Sequence, residues 1–285
     1  MKLIEPDYQL ERMGDADWRF VQSSELDVAT QKFDDILESG GGKRGLTVTL
    51  RAFLNDYPNH IDALHHYAMC KMDDGKPLDA LAFAHAAVAV GRAAFPSGFR
   101  LEKDCLPGGW IENRPFLRAL HGLMLAQRAM SQTPTAIETA RELIGCDSQD
   151  RMGARLVLPL YLLEQNRDRE VLDVFSYSGF EETFGSTEYL RALALIRLER
   201  AGEVGKVLEP CFRYLPKVAR YLLDSQLPRP RNESPFGVAM GSDYEAWDAA
   251  ISQRWVWERT KGALTTLASE WEANTKSRAK EDGNE

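Results

Sequence analysis

The sequence predicts an all-α solenoid of helical hairpins closed by a C-terminal helical cap, and three observations lead there. The chain matches itself at an offset of 34 residues, and apolar or small side chains recur at three- and four-residue steps on both sides of glycine-centred turns. A composition of 44% hydrophobic and 27% charged residues is that of a packed globular chain. Laying Gly41 over Gly75 also lays Phe33 over Tyr67, Leu46 over Ala80, Leu50 over Ala84 and Phe53 over Ala87. Such a hairpin cannot bury both its faces alone, so stability requires neighbouring units and atypical capping ends.

In chain order, residues 1–26 read as an N-terminal capping segment and 27–223 as the repeat array. Units fall at about 27–60, 61–94, 117–150, 152–185 and 188–221, with Gly41, Gly75, Ser131, Asn166 and Gly202 at their turns. Within 61–94, Ala68, Ala80, Ala84 and Ala87 stand where the two helices must approach closely, and Leu64 and Tyr67 fill the space between them. Thr133 is placed to cap a helix whose first residue is Pro134, and Pro115 suits the first turn of the helix before it. The interval from Gly75 to Ser131 is 56 residues rather than 34, so a loop at about 95–115 is inserted, of a length that more often carries function than not.

After Leu223, Pro228, Pro230 and Pro235 forbid a continuous helix. Residues 224–273 then read as the helical cap. Ser242 and Glu245 have the spacing of a capping box, and Trp247, Ala250, Ile251 and Trp255 share one helical face. A second helix starts near Thr260 with Leu264, Leu267, Ala268 and Trp271 as its buried stripe, and the polar stretch 274–285 reads as a disordered tail.

With Leu64, Tyr67, Ala68, Gly75, Ala80 and Ala87 at its signature positions, the unit 61–94 resembles a tetratricopeptide (TPR) repeat. The resemblance implies a right-handed α-solenoid whose concave face is lined by the first helix of each unit. A longer stretch is similar to bacterial TPR proteins related to the suppressor-of-tumorigenicity family. It comprises Trp110 to Leu123, Gly153-Ala154-Arg155, Val218 to Leu223 with Leu227-Pro228, and Gly241-Ser242 onward to Gly262-Ala263-Leu264. That resemblance implies a binding scaffold and no reaction.

The charge balance of 35 Lys plus Arg against 43 Asp plus Glu, net −8, argues against binding to nucleic acid or to an anionic membrane. No run approaches the roughly 20 apolar residues of a membrane span. The N-terminus lacks the apolar stretch of a signal peptide, and four cysteines are spread singly, so a cytoplasmic protein is expected.

The hairpin frame assigns His65, Met69, Arg118, His121, Arg128 and Tyr189 to the groove as surface positions. Arg114 with Arg118, and Arg151 with Arg155, are pairs four residues apart, and two such pairs facing each other would present forked donors suited to a carboxylate or phosphate. Asn113 and Trp110 would complete that pocket. The competing reading is that Glu112, Asp147, Asp150 and Glu164 neutralise these arginines as structural ion pairs and that Trp110 plugs the inserted loop.

His60, His65, His66 and Cys70 supply too few ligands in any metal-binding spacing. Gly40 to Arg44 follows a helix rather than a strand and lacks the Ser or Thr of a phosphate-binding loop. No cofactor and no catalytic motif is expected. The function expected is therefore a non-enzymatic adaptor that clamps an acidic or carboxylate-ended protein or peptide segment. The alternative is an enzyme or small-molecule binder that takes an anionic ligand in a pocket of the 95–115 loop, with Glu112 or His121 as acid or base.

Overall fold

Ser23 starts the first helix by accepting a hydrogen bond from the Leu26 amide at 3.3 Å, and α1 (Ser24–Glu38) follows. In this computed structural model, which describes residues 7–39, 42–176, 185–232, 239 and 241–282, helical pairs then succeed one another. They fall into two units, one ending at Arg155 and one beginning at Leu156. In the first unit α1 packs with α2 (Lys43–Asp56), α3 (Ile61–Asp73) with α4 (Pro77–Ala93), and α5 (Arg114–Ala129) with α6 (Thr133–Cys146). Further contacts of α2 with α3, α4 with α5 and α3 with α5 stack these hairpins.

Helix α7 (Ala154–Glu164) opens the next hairpin, and α8 (Asp168–Val174) closes it. In the second unit α8 packs on α9 (Gly185–Arg197), which pairs with α10 (Ala201–Tyr214). Then α11 (Pro216–Leu223) packs on α12 (Asp243–Arg259), and α13 (Ala263–Asp282) packs on α10 and α11. The protein is an all-α assembly of helical hairpins.

The turns show why the 34-residue frame is visible. Gly75, Ser131, Asn166 and Glu199 adopt φ of +71°, +59°, +56° and +59°, the left-handed conformation that ends one helix and reverses the chain into the next. The last of these corrects the expected turn at Gly202, which lies inside α10. Gly41 lies outside the described residues; Gly42, at φ +29°, precedes α2. Thr133 is the first residue of α6 rather than its cap, which is Gln132.

Packing follows the alternation of small and large residues. Leu64, Tyr67, Ala68, Ala80, Ala84 and Ala87 are all buried. At Gly91 the fit is tightest: a Cβ there would sit 2.2 Å from the Phe116 ring, so only glycine lets α4 meet α5.

The N-terminal segment contains a β-hairpin, which the repeat pattern does not foretell. Strands β1 (Tyr8–Arg12) and β2 (Trp18–Gln22) pair antiparallel with Leu10 opposite Phe20. The inserted loop holds this hairpin. Trp18 N donates to Cys105 O at 2.9 Å, Cys105 N donates to Ala16 O at 2.8 Å, and the Trp18 indole donates to Asp104 at 2.9 Å. Phe95, Phe99, Phe20 and Phe116 stack into one aromatic cluster, with Phe95–Phe99 centroids 4.4 Å apart.

Two expectations for the C-terminus are corrected. The buried face of α12 is Ala246, Ala250, Gln253, Val256 and Trp257, while Ile251 is exposed, because the stripe is rotated relative to Trp247 and Trp255. The tail expected to be disordered from 274 is helical through Asp282, the last described residue. The capping box is present: Ser242 Oγ accepts from Glu245 N at 3.1 Å, and the Glu245 carboxylate reaches back to Gly241 N. Residues 228–232 carry no regular structure, and Pro235 lies outside the described residues.

Gly91→Ala should destabilise the protein by about 1–3 kcal/mol, because the Phe116 ring must leave its well-packed position. Urea unfolding followed by circular dichroism measures this, and an unchanged midpoint would contradict the contact.

Candidate functional site

The residues expected to form an anion clamp are found with partners inside the chain. Arg118 makes a forked pair with Asp62, Nε to Oδ1 at 2.9 Å and Nη2 to Oδ2 at 2.5 Å. Arg114 donates from Nε to Gly108 O at 3.0 Å. Arg151 reaches Asp147 at 3.1 Å, which also accepts the Arg151 amide. Arg155 is only 3% exposed and donates to Ser148 O at 2.9 Å. Asp150 is spent on capping, accepting from the amides of Ala154 and Arg155 at 2.8 Å each.

Arg114 and Arg151 do converge, since both lie against the Gly108–Gly109 turn. Arg118 is drawn away to α3. The expected opposition of two arginine pairs is thus replaced by separate structural contacts, and the decisive acid for Arg118, Asp62, is 56 residues distant in sequence.

Asn113 is corrected from groove residue to internal anchor. Fully buried, its amide carbonyl accepts from Phe20 N at 2.9 Å, and its NH₂ donates to Trp18 O at 3.0 Å and Pro107 O at 3.1 Å. One side chain thereby ties strand β2 to the inserted loop, a use of amide chemistry that needs burial to be strong. Trp110 is half-buried at the end of that loop, and the exposed Glu112 lies 3.9 Å from Arg19.

The histidines of α3 and α5 are packing groups. His65 is buried and lies with Met69 against Gly122 of α5, where a Cβ would come within 2.7 Å of His65 Nδ1 and 3.2 Å of Met69 Cε. Tyr189, also expected in the groove, is fully buried and donates to Leu215 O at 3.2 Å. His60 caps α3, its Nδ1 accepting from Ala63 N at 3.1 Å, and stacks on Phe33 at 4.9 Å. His121 is half-buried.

Burial lowers all three imidazoles, His60 to about 4 and His65 to about 3, and His121 is shifted in the same direction. Burial works to raise the Asp62 carboxyl, but hydrogen bonds from His66 and Arg118 and the Arg118 charge hold it well below the ordinary carboxylate range. Among the described residues no group of three or more His, Cys, Asp or Glu side chains could hold a metal ion. No described helix is long and apolar enough to cross a membrane.

A different feature of the second unit is open. Helices α8, α9 and α10 enclose a pocket of about 510 Å³ with Leu172, Leu195, Leu198 and Val207 as apolar wall and three guanidiniums, those of Arg169, Arg191 and Arg200, around it. Arg200 is committed to Glu203 by two bonds of 2.6 and 2.7 Å. Arg191 lies over the Phe175 ring at 5.4 Å and holds Glu188 only at 3.4 Å. Exposed Arg169 makes no hydrogen bond or ion pair with any described residue, Asp173 one turn along α8 included. The repeat frame could have placed Arg191 and Arg200 on one hairpin, but nothing in the spacing brings Arg169 to them.

A protein-family model described as transcriptional repressor TCF25 matches residues 18–241, from β2 through the repeat hairpins to the threshold of α12. The chain belongs to the TCF25 family. For this TCF25-family chain no curated protein matches. Among solved structures, it is similar to a Podosopora anserina protein described as a kinesin light chain with nearly identical TPR-like repeats, at 15% identity and a TM-score of 0.43, covering 78% of this chain and 97% of that one. A second structure, of a point variant of that protein, matches at 15% identity and a TM-score of 0.44, over 78% and 98% of the two chains.

The buried imidazoles set a pH response. Their folded values are depressed, so the unfolded chain binds more protons as pH falls from about 6.5 toward 4, and stability is lost over that window while being fully present above it. The slope contributed by each of His60 and His65 approaches about 1.4 kcal/mol per pH unit. His60→Gln should flatten the curve of unfolding free energy against pH, and a wild-type curve already flat between pH 6.5 and 4 would contradict the assignment.

Proposed function

We propose that this TCF25-family chain is a non-enzymatic scaffold that holds a partner protein on the surface of its helical hairpins. The observation that carries the reading is the hairpin succession itself. Core residues of each pair are used up in close helix contact, which leaves the outer faces of the helices to meet another chain. An array of this kind offers extended surface rather than a shaped catalytic cavity.

The likeness of Trp110 to Leu123 to TPR proteins related to the suppressor-of-tumorigenicity family supports the same class of scaffold. The TCF25 family description, a transcriptional repressor, supports partners among proteins of gene regulation and a nuclear as well as a cytoplasmic place of work. An acidic or carboxylate-ended ligand segment remains the chemistry expected of the partner. The four arginines first assigned to it are already engaged in the chain, which argues for another surface. The 95–115 loop is likewise occupied, its aromatic side chains packed against the β-hairpin, which removes the support for an anionic small-molecule pocket there.

Affinity capture with the full chain from nuclear and cytoplasmic fractions, read by quantitative mass spectrometry, should enrich at least one protein in near-stoichiometric amount over a helical-repeat control of equal charge. Enrichment no greater than the control would overturn the scaffold reading.

A further inference from the structure

The open pocket on α8, α9 and α10 brings two properties together. It has apolar side chains in its wall, and it has cationic donors not fully committed to internal carboxylates. At about 510 Å³ it lies in the size range of sites that take a small ligand or a few side chains of a docked peptide. We propose that this groove binds a short acidic, leucine-rich segment of a partner protein, with ligand carboxylates taken by Arg169 and Arg191 and ligand leucines laid on Leu172, Leu195 and Leu198. The proposal rests on the scaffold reading above and names the surface and the partner chemistry for it.

The charge argument is local. The chain as a whole carries net −8, yet this pocket is lined by three arginines against Asp173 and Glu203. Glu203 satisfies Arg200 through a two-point contact, so that arginine and its acid cancel. What is left is Arg169, exposed and without a partner among the described residues, and Arg191, whose internal acid is at the long distance of 3.4 Å. Arg191 also lies over the Phe175 ring, which restrains its guanidinium and lowers the entropic cost of a further contact. A carboxylate bridging Arg169 and Arg191 would gain two charge-assisted contacts, while Asp173 at the rim disfavours a ligand that presents acid along the whole groove. Apolar residues are therefore needed at alternate positions, which the leucine and valine wall accepts.

The test uses the full chain and a fluorescein-labelled octapeptide of glutamate and leucine, followed by fluorescence anisotropy at low and moderate salt. Two controls replace glutamate by glutamine and by lysine. Binding of the glutamate peptide should be about tenfold tighter than that of the glutamine peptide and should weaken with salt. Arg169→Glu, at an exposed position that leaves the core intact, should lose about tenfold for the glutamate peptide and gain for the lysine peptide. That reversal is a response that a merely structural role would not produce. Equal affinity for the glutamate and glutamine peptides, or no change in Arg169→Glu, would overturn the proposal. If Arg169→Glu still captures the same partner from lysate, the groove assignment fails while the scaffold reading stands. If the peptide binds as expected and no partner is captured, the scaffold reading fails instead.

Discussion

Close approach of helices across small side chains is the constraint on which the first unit depends. Gly91 admits the Phe116 ring, and Gly122 admits His65 and Met69, so α5 lies against both α4 and α3 at distances that no larger residue would allow. Once α5 is held there, the residues it carries have fixed surroundings. Arg118 meets Asp62 on α3, and Phe116 receives Phe20 from the β-hairpin. The residues just before it inherit this placement: Asn113 can bond to Phe20, Trp18 and Pro107 only because the helix start stands between the inserted loop and strand β2.

That geometry also decides what chemistry is left over for function. A guanidinium drawn out of water must find an acceptor, or its desolvation goes uncompensated. Arg155 finds Ser148 O, Arg151 finds Asp147 and Arg114 finds Gly108 O, so the first unit uses its arginines to fasten loops to helix ends. In the second unit Arg169, Arg191 and Arg200 stand at an open groove, where Arg200 is matched by Glu203 and Arg169 by no described acid. The difference lies in the partners within reach, since the side chains of Arg118, Arg151 and Arg191 are about equally exposed at 34%, 35% and 38%.

The inserted segment shows how a long connection can be structural without being idle. Its length marked it as a functional loop, yet its carbonyls and amides pair with residues 16–18 and its phenylalanines complete an aromatic cluster. Helices α4 and α5 pack directly across it, and the segment itself binds the N-terminal strands. Backbone pairing between Trp18 and Cys105 has no local signature, because it joins segments 87 residues apart that share no pattern.

Read alone, the sequence determined the helical hairpins, most of their turns and the buried rows within them, down to Leu64, Tyr67 and the alanines of 61–94. These are properties of neighbours along the chain: a 3.6-residue period places apolar residues on one stripe, and a left-handed turn residue reverses direction. Only the tertiary structure decided the acid that meets Arg118, the burial of Asn113 and Arg155, the β-hairpin beneath the inserted loop, and the rotation of α12 that buries Trp257 and exposes Ile251. Each of those depends on which surface a distant segment brings within a few ångströms. Periodicity fixes a helix's apolar stripe to within a residue or so, and the packing partner fixes the rest.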